Sequence, residues 1–544
     1  MTESDTICHY LHVYVYVRIS FVNYRFLGII MRSNPLKKLK YMVPEAVISL
    51  IAVAGLLAAF VVVMTMTKYT VWYSVVAAVI TVLLFSVCLS ACIFLLGGEL
   101  RKACGRPAGE NPEDIAISPL NCGERPCGKV ILRDILIISA CCVVFALATV
   151  CLTALLRWAV GYSGSFSDLV RGRFGTLDSQ HYLYIAEHGY TPATSDEYGR
   201  VVEIVFFPGY PAAVRVLGLI IKDYFAAGMI VSFISFNAAA VLLYLLMTEE
   251  YSRQDAWYAV IILFLMPGSF FFVSPMSESM FLALTLGTLL LIKKKKWLGA
   301  GACGLYCAFT RSAGIIIAAV FVFELFKDFL SELAAAKASG QLPAKKVFGI
   351  VWSYFKKCIP VLLIGFGLLM YLVINCAMNG DPLSFVYYEK KQWGQSLGWF
   401  FETAAYSAAN TVRYMSGEMG TRTYTGYSVF AMNLVAMTGI LTTIAVKWKK
   451  LRGSYVFYAL AYFAVSYGVT WLLSGMRYMD GLFLMPMALA AGSGKYLPFK
   501  MKGSGDAGNA DLIPGRVRNI ILMASMAALS AVYLLFFCKS FQIW

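Results

Sequence analysis

Low-charge apolar stretches of bilayer-crossing length recur from one end of this 544-residue chain to the other. Apolar runs, most of them of that length, fall near residues 43–66, 70–97, 131–160, 204–221, 225–247, 256–273, 277–292, 297–327, 358–378, 427–447, 454–473, 480–494 and 517–538. A run of roughly 18 or more apolar residues is a candidate spanning helix. Only 14% of the residues are charged and the mean hydropathy is +0.70, whereas a soluble domain carries about 25% charge. So few charges cannot cover an aqueous surface. The expected fold class is therefore all-α: a polytopic transmembrane helical bundle, multi-pass in the cell membrane.

The formal net charge of +16 would point to nucleic acid in a soluble protein. Here lysine and arginine sit in short clusters between apolar runs, where they set orientation and meet anionic lipid headgroups. Membrane lipids are the expected partners, and nucleic acid is not. Most of the 14 cysteines lie inside apolar runs and read as small buried hydrophobes. Cys104, Cys122 and Cys127 share one polar loop, without zinc-like spacing or a nearby histidine. No metal ligands are assigned, and a divalent metal requirement stays open.

Residues 1–30 have neither the uninterrupted apolar core nor the small-residue cleavage site of a signal peptide. They read as a leader preceding a natural start at Met31. Residues 31–97 read as a transmembrane hairpin, 98–130 as a cytoplasmic loop, 131–497 as the core, and 498–544 as a further cytoplasmic loop with a last transmembrane helix.

Orientation follows from the basic clusters. Placing 32–40, 101–133, 293–296, 327–357, 447–452, 495–518 and Arg253 inside puts 30 of the 46 basic residues there. Parity then requires that 204–221 not cross the membrane, and that 297–327 be two half-helices meeting near Arg311. Irregular backbone at that depth must be buried or line a cavity. With this topology Asp178, His181, His188, Glu278, Arg311, Asp381 and Arg477 all fall on the outer side. That convergence points to an outward-facing site at the membrane surface.

Each segment has a structural reading beside its functional one. In LDSQHYLYIAEHGY (177–190), Asp178 opens a short helix that Gly189 ends. Capping explains both residues, but not His181 and His188. An interfacial carboxylate can also serve as a general base. VFFPGYPAAVRVL (205–217) is a helix break or a kinked helix start. In SPMSESMFLAL (274–284), Ser274 and Pro275 suit the N-cap and first position, with Glu278 in the first turn. An ionisable group at membrane depth is equally a functional candidate. Arg311, in AFTRSAG, costs about 2.5–3.5 kcal/mol at mid-membrane unless it meets a cavity or an anion, and phosphate suits a guanidinium. Arg477, in GMRYMDG, is a second such arginine, and NGDPLSF places Asp381 in a turn.

These segments resemble the PIG-V family, the GPI mannosyltransferase 2 family with its bacterial relatives. The ordered matches are Asp178 to Tyr190, Phe206 to Pro211, Pro267 to Glu278, Thr310 to Gly314, Gly380 to Pro382, and Arg477-Tyr478. They span about residues 171–486. Leu177 stands where the pattern has tryptophan, Met266 where it has asparagine, and Gly209 where it has a larger residue. The hairpin at 31–97 precedes the first helix that the family needs.

The resemblance implies a GT-C bundle with short outer-face loops and half-helices. It implies an inverting glycosyltransferase that takes a sugar, foremost mannose, from a polyprenyl-phosphate donor at the non-cytoplasmic face. The acceptor would be a hydroxyl of a glycan, glycolipid or protein. Asp178 would be the acidic residue that acts as base or orients the acceptor, with His181 and Tyr182 lining its pocket. Charge and topology make Arg311 and Arg477 the candidates for the lipid phosphate. Beyond the lipid-linked donor, no cofactor is assigned. A transporter or flippase, and a non-catalytic membrane subunit, are the alternative functions. The first should carry its polar groups near the midplane between related halves.

Overall fold

A computed structural model describes residues 35–66, 71–105, 128–191, 203–340, 343–419, 423–497 and 512–539. The leader at 1–30, all of residues 106–127 with Cys122 and Cys127, and residues 498–511 lie outside these. The described chain is all-α. Its one β-feature is an isolated bridge between Leu397 and Val469.

The first helices are α1 (Pro35–Met66), α2 (Trp72–Ala103), α3 (Gly128–Ala159), α4 (Phe166–Phe174), α5 (Asp178–His188), α6 (Gly209–Ile221) and α7 (Tyr224–Glu250). They are followed by α8 (Arg253–Leu265), α9 (Glu278–Lys293), α10 (Trp297–Thr310), α11 (Ile317–Ala338), α12 (Ala344–Asn379) and α13 (Ser384–Trp393). The longer helices that remain are α14 (Phe400–Met415), α15 (Met432–Lys447, entered through a helical turn at Thr423–Thr425 and a π-helical segment at Gly426–Ala431), α16 (Gly453–Tyr467), α17 (Gly475–Asp480), α18 (Leu484–Ala490) and α19 (Leu512–Cys538).

Among the described residues seven helices are long and apolar enough to cross a bilayer: Pro44–Met66, Trp72–Ala103, Gly128–Ala159, Tyr224–Glu250, Ala344–Asn379, Gly426–Lys450 and Ile513–Cys538. Large apolar side chains such as Val144, Leu147 and Leu362 are exposed on them, as lipid-facing positions require. The chain is a multi-pass membrane protein.

The other apolar runs of the sequence become shorter or interrupted helices, for local reasons. α8 stops at Leu265 because Pro267 cannot continue a helix. α10 stops at Thr310, where Arg311 takes extended backbone (φ −152°, ψ 147°), and a short 3-10 turn, Ser312–Ile316, leads into α11. Lys295, before α10, pairs with Asp328 on α11 at 2.7 Å. The 297–327 run is therefore a hairpin with Arg311 at its tip. α6, at 13 residues, is about 20 Å long, against a hydrocarbon core of about 30 Å. Gly209 at its start lies against Thr310, and Asp223 just past its end pairs with Arg171 of α4. Both ends of α6 stay at the end of the bundle where α4, α5 and the α10 tip lie.

Charged groups are gathered at the two ends of the bundle. At one, Glu250 accepts from Lys293 (2.7 Å) and Arg452 (2.6 Å), Arg452 reaches Glu324 (3.1 Å), and Lys327 joins Glu324 and Glu99. At the other lie Asp178, Glu278, Arg311 and Arg477. α9 runs from Glu278 at one layer to Lys293 at the other, about 22 Å along its axis.

Candidate active site

The site begins with a strained residue. Leu177, just before α5, has φ 61° and ψ −141°, a conformation costing about 1–3 kcal/mol outside glycine. It turns the chain so that Asp178 is the first helical residue. The capping reading of Asp178 therefore fails: Leu177 occupies the cap position, and the Asp178 carboxylate points elsewhere. Its Oδ2 accepts from Arg477 Nη2 at 2.5 Å. Gly189 ends α5 with φ 78°, as its sequence position led us to expect.

From Arg477 the charges alternate inward and out again. Arg477 Nε stands 3.1 Å from Glu278 Oε1, which accepts from Arg311 Nη1 at 2.7 Å. Arg311 Nη1 also reaches Ser277 Oγ at 3.2 Å, and the Tyr182 hydroxyl shares a hydrogen bond with that serine at 2.9 Å. The Tyr478 ring lies 5.3 Å from the Arg311 guanidinium carbon and 5.9 Å from that of Arg477. The middle of this chain is buried, with Glu278 2% and Arg477 5% exposed; its ends, Asp178 at 21% and Arg311 at 19%, are reachable. Two carboxylates and two guanidiniums neutralise one another, which is how four charges tolerate this burial.

Glu278 opens α9, but its cap is Ser277 rather than Ser274. The backbone from Val273 to Ser277 is instead a turn held from outside. Ser232 of α7 donates to the Ser274 carbonyl at 2.6 Å, and Ser179 meets Ser274 Oγ at 3.2 Å. The 205–217 segment proves to be a helix start, with Pro208 at the cap and Pro211 in the first turn, where no backbone donor is needed. Its aromatics build the site wall. Phe206 stacks on His181 (4.8 Å) and meets Tyr182 edge-on (5.2 Å), and Trp393 of α13 closes on Phe206 and His181. Gly209 is required by close approach: a Cβ there would sit 2.5 Å from Thr310 Oγ1 and 2.9 Å from Thr310 Cα. The departure from a larger residue is thus what lets α6 dock on the α10 tip beside Arg311.

The structure brings together Asp178, His181, Tyr182, Glu278, Arg311 and Arg477. It does not bring His188 or Asp381 to them. His188 is exposed and stacks on Tyr184. Asp381 is exposed and accepts from Leu383 N at 2.9 Å, shaping a turn.

Two acids that sequence reasoning passed over stand at the site instead. Glu203 Oε1 lies 3.9 Å from His181 Nδ1. Glu389 of α13 is half-buried; burial, and then the charge of Asp178, push its carboxyl up to about 7. The available signal was spacing, since Glu389 precedes Trp393 by four residues and shares its helix face. Asp480 adds a buried carboxyl beside the Gly268 backbone. Among the described residues no group of three histidines, cysteines or acids is placed to hold a metal ion.

No protein-family model matches the chain. It is 25% identical over 207 residues to GPI alpha-1,6-mannosyltransferase 2 of Homo sapiens, covering 36% of this chain and 39% of that protein. Its match to the Rattus norvegicus protein of the same name is 26% over 185 residues, 31% of this chain and 36% of that one. The chain thus matches less than two fifths of the length of these relatives. Among solved structures it is similar to the Archaeoglobus fulgidus oligosaccharyltransferase in the apo form, with a TM-score of 0.38, 12% identity, and coverage of 72% of this chain and 56% of the other. The complex of the archaeal oligosaccharyltransferase AglB from Archaeoglobus fulgidus with an inhibitory peptide and a dolichol-phosphate superposes at 0.38, with 15% identity and coverage of 73% and 56%.

Proposed function

We propose that this chain is a membrane-embedded GT-C-type glycosyltransferase that moves a sugar, foremost mannose, from a polyprenyl-phosphate carrier to an acceptor hydroxyl at the non-cytoplasmic face. The observation that carries the proposal is the alternating chain Asp178–Arg477–Glu278–Arg311, with a buried middle and two reachable ends of opposite charge. One end offers a carboxylate to a hydroxyl. The other offers a guanidinium to a phosphate. The match to part of two mannosyltransferases supports the choice of sugar.

In the reaction the acceptor oxygen attacks the anomeric carbon from the face opposite the phosphate, so configuration inverts. Asp178 orients the hydroxyl and takes its proton. The bond to phosphate breaks with its electron pair, and the polyprenyl phosphate leaves as an anion that Arg311 and Arg477 stabilise. No acid is required at the leaving oxygen. His181, Phe206 and Trp393 supply an aromatic wall on which a sugar face can lie. The test is turnover by purified protein with a panel of radiolabelled polyprenyl-phosphate sugars beside nucleotide sugars. Transfer from polyprenyl-phosphate mannose alone is expected. Transfer from nucleotide sugars only would overturn the donor assignment.

A further inference from the structure

Arg477 touches both carboxylates of the charge chain, yet it sits on α17, a helix of only six residues. A helix that short does not hold itself, since even about 12–15 residues are marginal in isolation. The segment that leads into it, 468–474, is irregular. Its own cap residue, Ser474, makes no side-chain capping bond. The place of the guanidinium is therefore set from outside α17.

Two neighbouring helices set it. Asn433, near the start of α15 and 1% exposed, accepts from Gly475 N through Oδ1 at 2.9 Å and donates through Nδ2 to the Leu472 carbonyl at 2.6 Å. Asparagine is a preferred capping residue because its short side-chain carbonyl takes an orphan amide. Here the cap is supplied from 42 positions away, and the same amide group also holds the segment before the helix. From α16, the Tyr467 hydroxyl donates to the Gly475 carbonyl at 2.5 Å and the Tyr462 hydroxyl to the Tyr478 carbonyl at 2.9 Å.

The sequence is adapted to these contacts at both ends of α17. A Cβ on Gly475 would lie 2.5 Å from Asn433 Oδ1 and 3.1 Å from Asn433 Cα, so the cap needs glycine for its close approach. At the far end the Asp480 carboxyl is buried, and a Cβ on Gly268 would collide with it. Gly475 precedes Arg477 by two residues, so a shift of the helix start is passed to the guanidinium with little chain to absorb it.

We propose that Asn433 is a positioning residue for Arg477: by capping α17 from α15 it fixes the guanidinium against Asp178 and Glu278. Its effect on rate rests on the transferase reading above; its effect on the Arg477–Asp178 contact does not.

The purified full-length protein provides the test. Asn433→Ala should bind radiolabelled polyprenyl-phosphate mannose at full stoichiometry, with a donor KM within about twofold of wild type because Arg311 is untouched. Its kcat should fall about tenfold or more, since a misplacement of about 1 Å can cost about 10²-fold. Gly475→Ala should slow turnover in the same way, and the double variant should be no slower than either, because removing Oδ1 removes the collision. Ile444→Ala, buried about 16 Å further along α15, is the control: it should lower the melting temperature and leave kcat per bound donor unchanged. Cryo-electron microscopy of Asn433→Ala in nanodiscs should show Arg477 out of hydrogen-bond reach of Asp178. In the unmodified protein the Gly475 amide should exchange slowly with deuterium, a readout independent of variant folding. An intact Arg477–Asp178 contact in Asn433→Ala, an equal loss of kcat in Ile444→Ala, or fast exchange at Gly475 would overturn the proposal. A broken contact with unchanged kcat would uphold the positioning and count against the catalytic reading of the Arg477–Asp178 pair. Absence of transfer by wild type would count against the proposed function, and the contact and exchange measurements would still decide the role of Asn433.

Discussion

Arg477 holds Asp178 across 299 positions of sequence, Nη2 to Oδ2 at 2.5 Å, while its Nε faces Glu278 at 3.1 Å. One guanidinium thus links the reachable carboxylate to the buried one. Removing it leaves both carboxylates short of charge in a dry site. Arg477→Ala should therefore destabilise the protein by about 3–5 kcal/mol, the usual effect of breaking a buried ion pair. Arg311→Ala, at the more open end, should cost less stability and act mainly on donor binding, raising the donor KM. Thermal melts and steady-state kinetics on both variants separate the two roles. Equal stability losses with unchanged KM would contradict them.

Glu389 makes the site sensitive to pH near neutrality. Its carboxyl is raised from 4.5 to about 7 by burial, and then by the charge of Asp178; the Tyr478 and Tyr371 hydroxyls also lie within its electrostatic reach. Between pH 4.5 and 7 the unfolded chain ionises this group while the folded chain keeps its proton, so folding stability falls over that window and is level above it. Glu389→Gln should then melt higher than wild type at pH 8 and equally at pH 4. Above pH 7 the ionised Glu389 adds negative charge beside the site, so the KM for an anionic donor should rise in wild type and stay flat in Glu389→Gln. A wild-type KM profile without an inflection near pH 7 would contradict this.

Gly209 tests the coupling between α6 and the α10 tip. A methyl group at this position meets Thr310 Oγ1 and backbone from Phe309 and Thr310, and backbone cannot swing aside as a side-chain end can. Gly209→Ala should destabilise by about 1–3 kcal/mol and lower kcat by displacing Arg311. A melt and a rate equal to wild type would show that the tip moves freely.

Much of this arrangement was legible in the sequence. Hydropathy marked the membrane class, Gly189 marked the end of α5, and the charge pattern required the break at Arg311. What could not be read was which polar residues meet. Asp178 and Arg477 are brought together by packing of α5, α9 and α17, and no local pattern encodes that. For the same reason His188 looked equivalent to His181. They lie seven residues apart, yet Phe206 and Trp393 cover only one of them. Glu389 was overlooked because a glutamate beside two lysines on an amphipathic helix reads as a solvated face. The cap at Ser274 was misplaced because Ser232 and Ser179 recruit that turn into tertiary hydrogen bonds.

Orientation is open to direct measurement. The cluster at 293–296 shares one end of the bundle with Asp328 and Arg452, whereas α13, which follows α12, carries Trp393 to the site wall. In a background without exposed cysteines, a cysteine at Leu397 should react with an impermeant reagent in intact cells, and one at Lys294 should not. Labelling at Lys294 with none at Leu397 would invert the topology and move the site to the cytoplasmic face.

The most direct test of the account is transfer by Asp178→Asn, with polyprenyl-phosphate mannose as donor. Asparagine preserves the shape of Asp178 and can still accept a hydrogen bond from Arg477, so the fold should survive. It removes the basicity that the acceptor hydroxyl needs. Measured at equal expression and equal melting temperature, transfer should fall by about 10²–10⁴, the usual effect of losing a general base. Wild-type turnover by Asp178→Asn would contradict the account and move the proton acceptor to another carboxylate at the site.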